Sequence, residues 1–104
     1  MAQLIWAPSA LKDIDLIAKY ISKDSVLAAE NIVTLFFEKA EILTSHPGFG
    51  KPVPEINDLK FREILVSRYR IIYEFESEKI VNIISIHHQS RLLKNNPVLR
   101  KKLK

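Results

Sequence analysis

The sequence predicts an α+β domain in which an N-terminal strand, an antiparallel helical hairpin and a three-stranded antiparallel meander form one small sheet with helices on it. Three observations carry this. Apolar residues recur at intervals of three and four as far as Leu43, and then give way to three runs rich in Ile, Val, Tyr and Phe. Between the two regimes lies Pro47 to Pro54, which holds both glycines and three of the five prolines and so marks an irregular connection. A chain of 104 residues, 47% hydrophobic and 27% charged, supports one buried core but not two.

Gln3 to Ala7 reads as a short strand around Leu4, Ile5 and Trp6. Pro8 and Ser9 mark a helix start, since Pro is tolerated where no intrahelical N–H bond is needed and Ser can cap exposed amides. Leu11, Ile14, Ile17 or Ala18, and Ile21 then lie along one stripe of a helix that ends near Lys23. Asp24 or Ser25 caps a second helix, whose apolar positions Ala29, Ile32, Val33, Phe36, Phe37, Ala40 and Leu43 give the strongest periodicity in the chain. Pro47 stops it, and the short link between the helices predicts a hairpin.

Phe61 to Val66, Arg68 to Phe75 and Ile80 to His88 are the three strands of the meander. Alternation in the middle strand puts Tyr69, Ile71, Tyr73 and Phe75 on one face, expected to be the core face, and Arg68, Arg70, Ile72 and Glu74 on the other. Asn95-Asn96-Pro97 reads as a break. Val98 to Lys104 can form one basic helical turn, but its composition favours partial disorder. Residues 1–90 are therefore the expected domain and residues 91–104 a basic C-terminal tail.

The net charge of +4 is unevenly placed. From Arg91 onward there are six basic residues and no acid, leaving a body of 10 basic and 12 acidic residues. Coating of nucleic acid by the whole surface is thus disfavoured, while the tail can attract an acidic partner or RNA. With no cysteine the chain has no disulfide, thiolate nucleophile or Cys-ligated zinc. No basic region and sustained apolar run precede Pro8, and no stretch is apolar enough to span a membrane. A cytoplasmic protein without a membrane partner is expected.

No phosphate-binding glycine loop, zinc-binding His-Glu-x-x-His helix or Gly-x-Ser-x-Gly elbow occurs. His87 and His88 are adjacent, so on a strand they face opposite ways and cannot share one metal ion; neither metal nor cofactor is expected. What remains is Arg62, Arg68, Arg70, His87, His88 and Arg91, gathered near the ends or exposed face of the meander. Arginines bind phosphate bidentately and histidine exchanges protons near neutrality, which is the chemistry of metal-free RNA cleavage. The competing reading makes the arginines partners of Glu63, Glu74 and Glu76, and the histidines satisfied structural groups. Trp6, Tyr69 and Tyr73 follow the strand pattern and read as core or rim aromatics, and His46 as an exposed turn residue.

The order and spacing of several motifs resemble the ParE/RelE superfamily of toxins from type II toxin–antitoxin systems, also known as plasmid stabilization proteins. The matching pieces are Ala10 to Ile21 (ALKDIDLIAKYI), Ala28-Ala29, Leu43 through His46-Pro47-Gly48-Phe49-Gly50, Arg62-Glu63-Ile64, Tyr69-Arg70-Ile71-Ile72-Tyr73 and His88-Gln89-Ser90-Arg91. The resemblance implies the fold derived above and, as principal partner, a small cognate antitoxin, ParD-like or other. It implies two modes of growth arrest. ParE-like members poison DNA gyrase without catalysis, whereas RelE-like members cleave mRNA on the ribosome, a role in which Arg62 and Arg70 would hold phosphate and His88 transfer a proton. Gln89 stands where such nucleases tend to carry a tyrosine, and the loop before Phe61 offers only Lys51 and Lys60, diluted by Glu55 and Asp58. A gyrase-binding toxin with no catalytic residues is therefore the leading expectation. The ribosome-dependent nuclease is its alternative, and a degenerate, non-toxic antitoxin-binding module the third reading. Arg62, Arg68, Arg70, His88 and Arg91 are the candidate contacts for target or antitoxin.

Overall fold

The computed structural model describes residues 1–103; Lys104, the end of the expected tail, lies outside them. One mixed sheet has the order β1-β5-β4-β3-β2. Strand β1 (Gln3–Trp6) runs parallel to β5 (Ile80–His88), and β5, β4 (Tyr69–Phe75), β3 (Phe61–Val66) and β2 (Lys51–Pro52) are successively antiparallel. The meander and its junction with the N-terminal strand follow the sequence expectation. The fifth strand does not. It is two residues long and contains a proline, which only an edge tolerates, so no periodicity announced it.

Helices α1 (Pro8–Ser22) and α2 (Val26–Ala40) form the hairpin. Ser25 caps α2 by accepting the Ala28 N–H at 3.0 Å. The expected cap at Ser9 is absent: α1 starts beside β5, and the Ser9 hydroxyl instead donates to the Ile84 carbonyl at 2.6 Å. The second helix also breaks earlier than Pro47. At Glu41 the carbonyl is taken by both the N–H and the hydroxyl of Thr44, which tightens the turn before a separate short helix, α3 (Ile42–Ser45).

The hairpin covers one face of the sheet. Ala10, Ile14, Phe36 and Ala40 of the hairpin, joined by Leu43 of α3, pack on Ile64, Val66, Ile71, Tyr73, Val81, Ile83 and Ile86. The second face, expected to meet solvent, carries a smaller core of Val53, Ile56, Phe61, Ile72, Leu93 and Leu99, with Ile84 and Leu103 against it. Its cover is the C-terminal segment from Arg91 onward, hereafter the strap. Two 3₁₀ turns (Leu93–Asn95 and Arg100–Lys102) order the strap, and Leu103 forms an antiparallel bridge with Ile56. The expected partial disorder is thus corrected, because Leu93 and Leu99 are 2% and 0% exposed. A bulge sets the faces of β5: Ile72 pairs with Ser85 but Tyr73 with Ile83, so Ile84 is extra and the side-chain parity flips. Ile86 and His88 thereby turn to the helices and His87 to the strap.

β1 stops pairing at Ile83, and beyond it α1 covers the open edge of β5. Asp13 accepts from the Ile86 N–H at 3.0 Å and from the Ser85 hydroxyl at 2.8 Å. Both bonds are charge-assisted and half-buried, so Asp13→Ala is expected to destabilise the fold by about 2 kcal/mol, read as a lowered urea midpoint at unchanged slope. No helix among the described residues is long and apolar enough to cross a membrane.

Candidate functional site

The six sequence-predicted side chains fall into three separate settings. Arg62 stands opposite Tyr73 on the helix face, at the start of β3. Its Nη1 donates to the Gly50 carbonyl at 3.0 Å, while the Gly50 N–H donates to the Tyr73 hydroxyl at 2.8 Å. Burial pushes the Tyr73 phenol above its ordinary pKa, with the Gly50 bond and the Arg62 charge pulling the other way. A Cβ on Gly50 would come within 2.6 Å of the Glu63 carbonyl oxygen and 2.7 Å of the Tyr73 oxygen, so only glycine lets the loop approach the sheet this closely. Gly50→Ala is expected to cost about 1–3 kcal/mol through this overpacking, read as a fall in thermal midpoint. Arg62 thus clamps the connection between α3 and β3.

Arg70 lies on the opposite face, 8% exposed. Its Nε donates to Glu63 Oε1 at 2.6 Å, and its Nη1 and Nη2 donate to the two carboxylate oxygens of Glu55 at 2.9 and 2.7 Å. Nη2 also reaches Glu63 Oε1 at 2.6 Å, so one carboxylate is held side-on and the other end-on. Lys51 Nζ stands 4.0 Å from the second Glu63 oxygen. Glu63 was an expected partner and shares the Arg70 face by strand parity. Glu55 comes from the loop between β2 and β3, where no pattern identifies a partner. Glu74 turns elsewhere, towards Asn82, at 3.4 Å.

The hydrogen bond from Arg70 holds the Glu55 carboxyl below its ordinary value of 4.5, against the opposing effect of burial. The unfolded chain then binds the proton more readily than the folded one. The contribution of this pair is accordingly full above pH 4.5 and is lost as pH falls through the depressed folded value. Glu55→Gln is expected to flatten that part of the acid limb in urea midpoints measured from neutral to acid pH.

His87, cross-strand from Arg70, is a structural group. Its Nε2–H donates to the Arg91 carbonyl at 2.9 Å, and its Nδ1 accepts from Asn96 Nδ2 at 3.2 Å. The other Asn96 N–H reaches Ser85 Oγ at 3.0 Å, so a chain of bonds runs from the strap through Ser85 to Asp13. Sequence reasoning missed Asn96 as an anchor because Asn95-Asn96-Pro97 also has the composition of an ordinary turn.

Arg68, Tyr69, His88 and Arg91 gather at the remaining end of the sheet. Arg68 occupies the β3–β4 turn rather than a strand. It follows Ser67, whose φ of 56° lies in the left-handed region, and its carbonyl accepts the Gln89 N–H at 2.8 Å. His88 is half-buried opposite Tyr69, with ring centroids 5.1 Å apart and edge-on, and Tyr69 meets Phe36 in the same manner at 5.4 Å. His88 Nδ1 accepts the Ser90 N–H at 3.1 Å, which leaves Nε2 as the protonated nitrogen. Burial raises the Tyr69 phenol pKa, and the nearby positive charge of Arg91 opposes that. Arg68 and Arg91 are exposed. No group of three or more His, Asp or Glu side chains among the described residues could hold a metal ion. Two shallow grooves lie elsewhere, one of about 610 Å³ beside His46 to Phe49 and one of about 460 Å³ between α1 and α2.

Two similarities give this chain a family, and a third matches its fold. A family model described as the ParE toxin of type II toxin–antitoxin systems, parDE, matches residues 4–93. Toxin RelE2 of Caulobacter vibrioides is 30% identical over 92 residues, which cover 88% of this chain and all of that protein. The solved structure of a chromosomal ParDE system from P. aeruginosa shares the fold, with a TM-score of 0.70 at 20% identity over 85% of this chain and 96% of that one. The helical hairpin on a mixed sheet, the Gly50 clamp and the Tyr69-to-Tyr73 strand all lie within the matched segment, and the chain belongs to the ParE toxin family of type II toxin–antitoxin systems.

Proposed function

We propose that this protein arrests growth by binding DNA gyrase and holding it on cleaved DNA, with no reaction of its own, and that a small cognate antitoxin neutralises it. Membership of a toxin–antitoxin family implies the antitoxin. The observation that carries the choice of target is the separation of the nuclease candidates. Arg62 and His88 share the helix face, but they stand opposite Tyr73 and Tyr69, four residues and roughly 13 Å apart along β4. Arg70 is on the other face with its donors committed to two carboxylates. A phosphate held by Arg62 or Arg70 is thus out of reach of a proton carried by His88.

Purified protein is expected to inhibit gyrase supercoiling and accumulate cleaved complexes, and His88→Ala is expected to keep that activity within about twofold. Untouched gyrase together with new mRNA ends in a translating extract would replace this reading with the ribosomal one. For the antitoxin, the physical support is the exposed apolar surface of Leu16, Tyr20 and Leu92, with Arg68 and Arg91 also exposed. An amphipathic acidic segment complements both kinds of group. Co-purification with the adjacent gene product tests this, and no complex at micromolar concentration would count against it.

A further inference from the structure

We propose that the outer surface of the strap is a docking surface for the phosphate backbone of a nucleic-acid duplex. This does not rest on gyrase being the target. The strap is ordered by neutral groups alone: Leu93 and Leu99 in the second core, Leu103 bridged to Ile56, and Asn96 bonded to Ser85 and His87. Its cations form no part of that set, and among the described residues only Lys102 touches the core beneath, over Phe61. Lys94, Arg100, Lys101 and Lys102 are all exposed, and none of the ion pairs among the described residues engages them. Lys102 is oriented without a carboxylate, its Nζ lying 5.4 Å from the centre of the Phe61 ring. Residues 91–103 contain no acid, so the surface carries one sign of charge on a fixed backbone, which lowers the ordering cost of binding a polyanion.

The exposed groups favour a duplex over other polyanions. The strap has no aromatic residue, so unpaired bases find nothing to stack on. An acidic amphipathic peptide would need an apolar stripe beside the cations, yet Leu93 and Leu99 face inward and only Leu92 and Val98 remain outside. A duplex backbone asks only for cations. The acidic helical half would meanwhile turn a duplex away from the rest of the molecule, with 5 basic and 8 acidic residues in Met1 to Leu59.

Fluorescence anisotropy with a labelled DNA duplex of about 25 base pairs tests this on the full chain. Four phosphates neutralised give a slope of log K against log salt near −3.6, or a loss of about 150-fold between 50 and 200 mM salt. Replacing Lys94, Arg100, Lys101 and Lys102 together with Gln is expected to lower affinity more than tenfold and flatten the slope, with a thermal midpoint lowered by no more than a few degrees through the lost Lys102–Phe61 contact. A variant with Gln at Lys12, Lys19, Lys23 and Lys39 removes the same net charge from the helical half and is expected to bind like the parent. The proposal is overturned by a parent that does not bind at 50 mM salt, by equal losses in both variants, or by tighter binding to a single strand of the same length. It is equally overturned if the strap variant loses the antitoxin and keeps the duplex.

Discussion

Arg70→Ala is expected to destabilise the protein by about 3–5 kcal/mol, among the largest effects of any single change, because it strands a carboxylate rather than removing a contact. Glu63 is 4% exposed, and among the described residues the one other cation paired with it is Lys51, 4.0 Å away and mostly in solvent. The loss is asymmetric. Glu55 is 41% exposed and can return to water, so Glu55→Gln should cost less than about 1 kcal/mol. Glu63→Gln should cost more, since it weakens the side-on bond inside the face. Arg70→Lys should recover little, because one ammonium cannot serve a side-on and an end-on carboxylate together. Removing both charges in Arg70→Met with Glu63→Leu should restore most of the stability, since the desolvation cost goes with the pair. Urea unfolding of the five variants measures this directly, and a cost below about 1 kcal/mol for Arg70→Ala would show that the Arg70–Glu63 pair is not buried in solution. A non-toxic Arg70→Ala variant would therefore report lost folded protein before it reported a lost phosphate ligand.

The legible parts of this fold are those in which one face of an element is buried against a regular neighbour. The periods of α1 and α2 and the alternation of β4 record the same core, so the hairpin and meander follow from residue spacing alone. Strand parity also places Arg70 and Ile72 together, away from Tyr69 and Tyr73. Parity does not say what covers that second face. Its cover is a segment whose anchors, Leu93, Leu99 and Leu103, are spaced by six and then four residues beside the apolar Leu92 and Val98, too few and too irregular to establish a period, while its composition is dominated by cations. Charge content therefore pointed to a mobile tail where burial produced a strap. The candidate site was legible in the same uneven way. Residue chemistry gathered six basic side chains into one list, and the topology distributes them over two faces and two ends of the sheet, with Arg70 claimed by a loop carboxylate no spacing rule reaches.

The same reasoning makes the strap part of the fold's stability. Leu99 is fully buried within the second core, so Leu99→Ala is expected to cost about 2–5 kcal/mol, the range for a core leucine cut back to its Cβ. Asn96→Ala should cost about 1–3 kcal/mol, because it leaves His87 Nδ1 without its donor and removes one bond from Ser85. Ending the chain after Ser90 combines these losses. It returns Val53, Ile56, Phe61 and Ile72 to water and takes away the Arg91 carbonyl that accepts from His87. Set against a stability of about 5–15 kcal/mol for a domain of ordinary size, such a chain should be largely unfolded at 37 °C, whereas replacing Lys94, Arg100, Lys101 and Lys102 with Gln should lower the thermal midpoint by only a few degrees, through the Lys102–Phe61 contact. The contrast separates the two roles of one segment, since Leu93, Leu99, Leu103 and Asn96 hold the sheet face closed while Lys94, Arg100, Lys101 and Lys102 are left for a partner. A loss below about 1 kcal/mol for Leu99→Ala would mean that the strap lies loosely on the sheet, and its cations would then have no fixed surface to share.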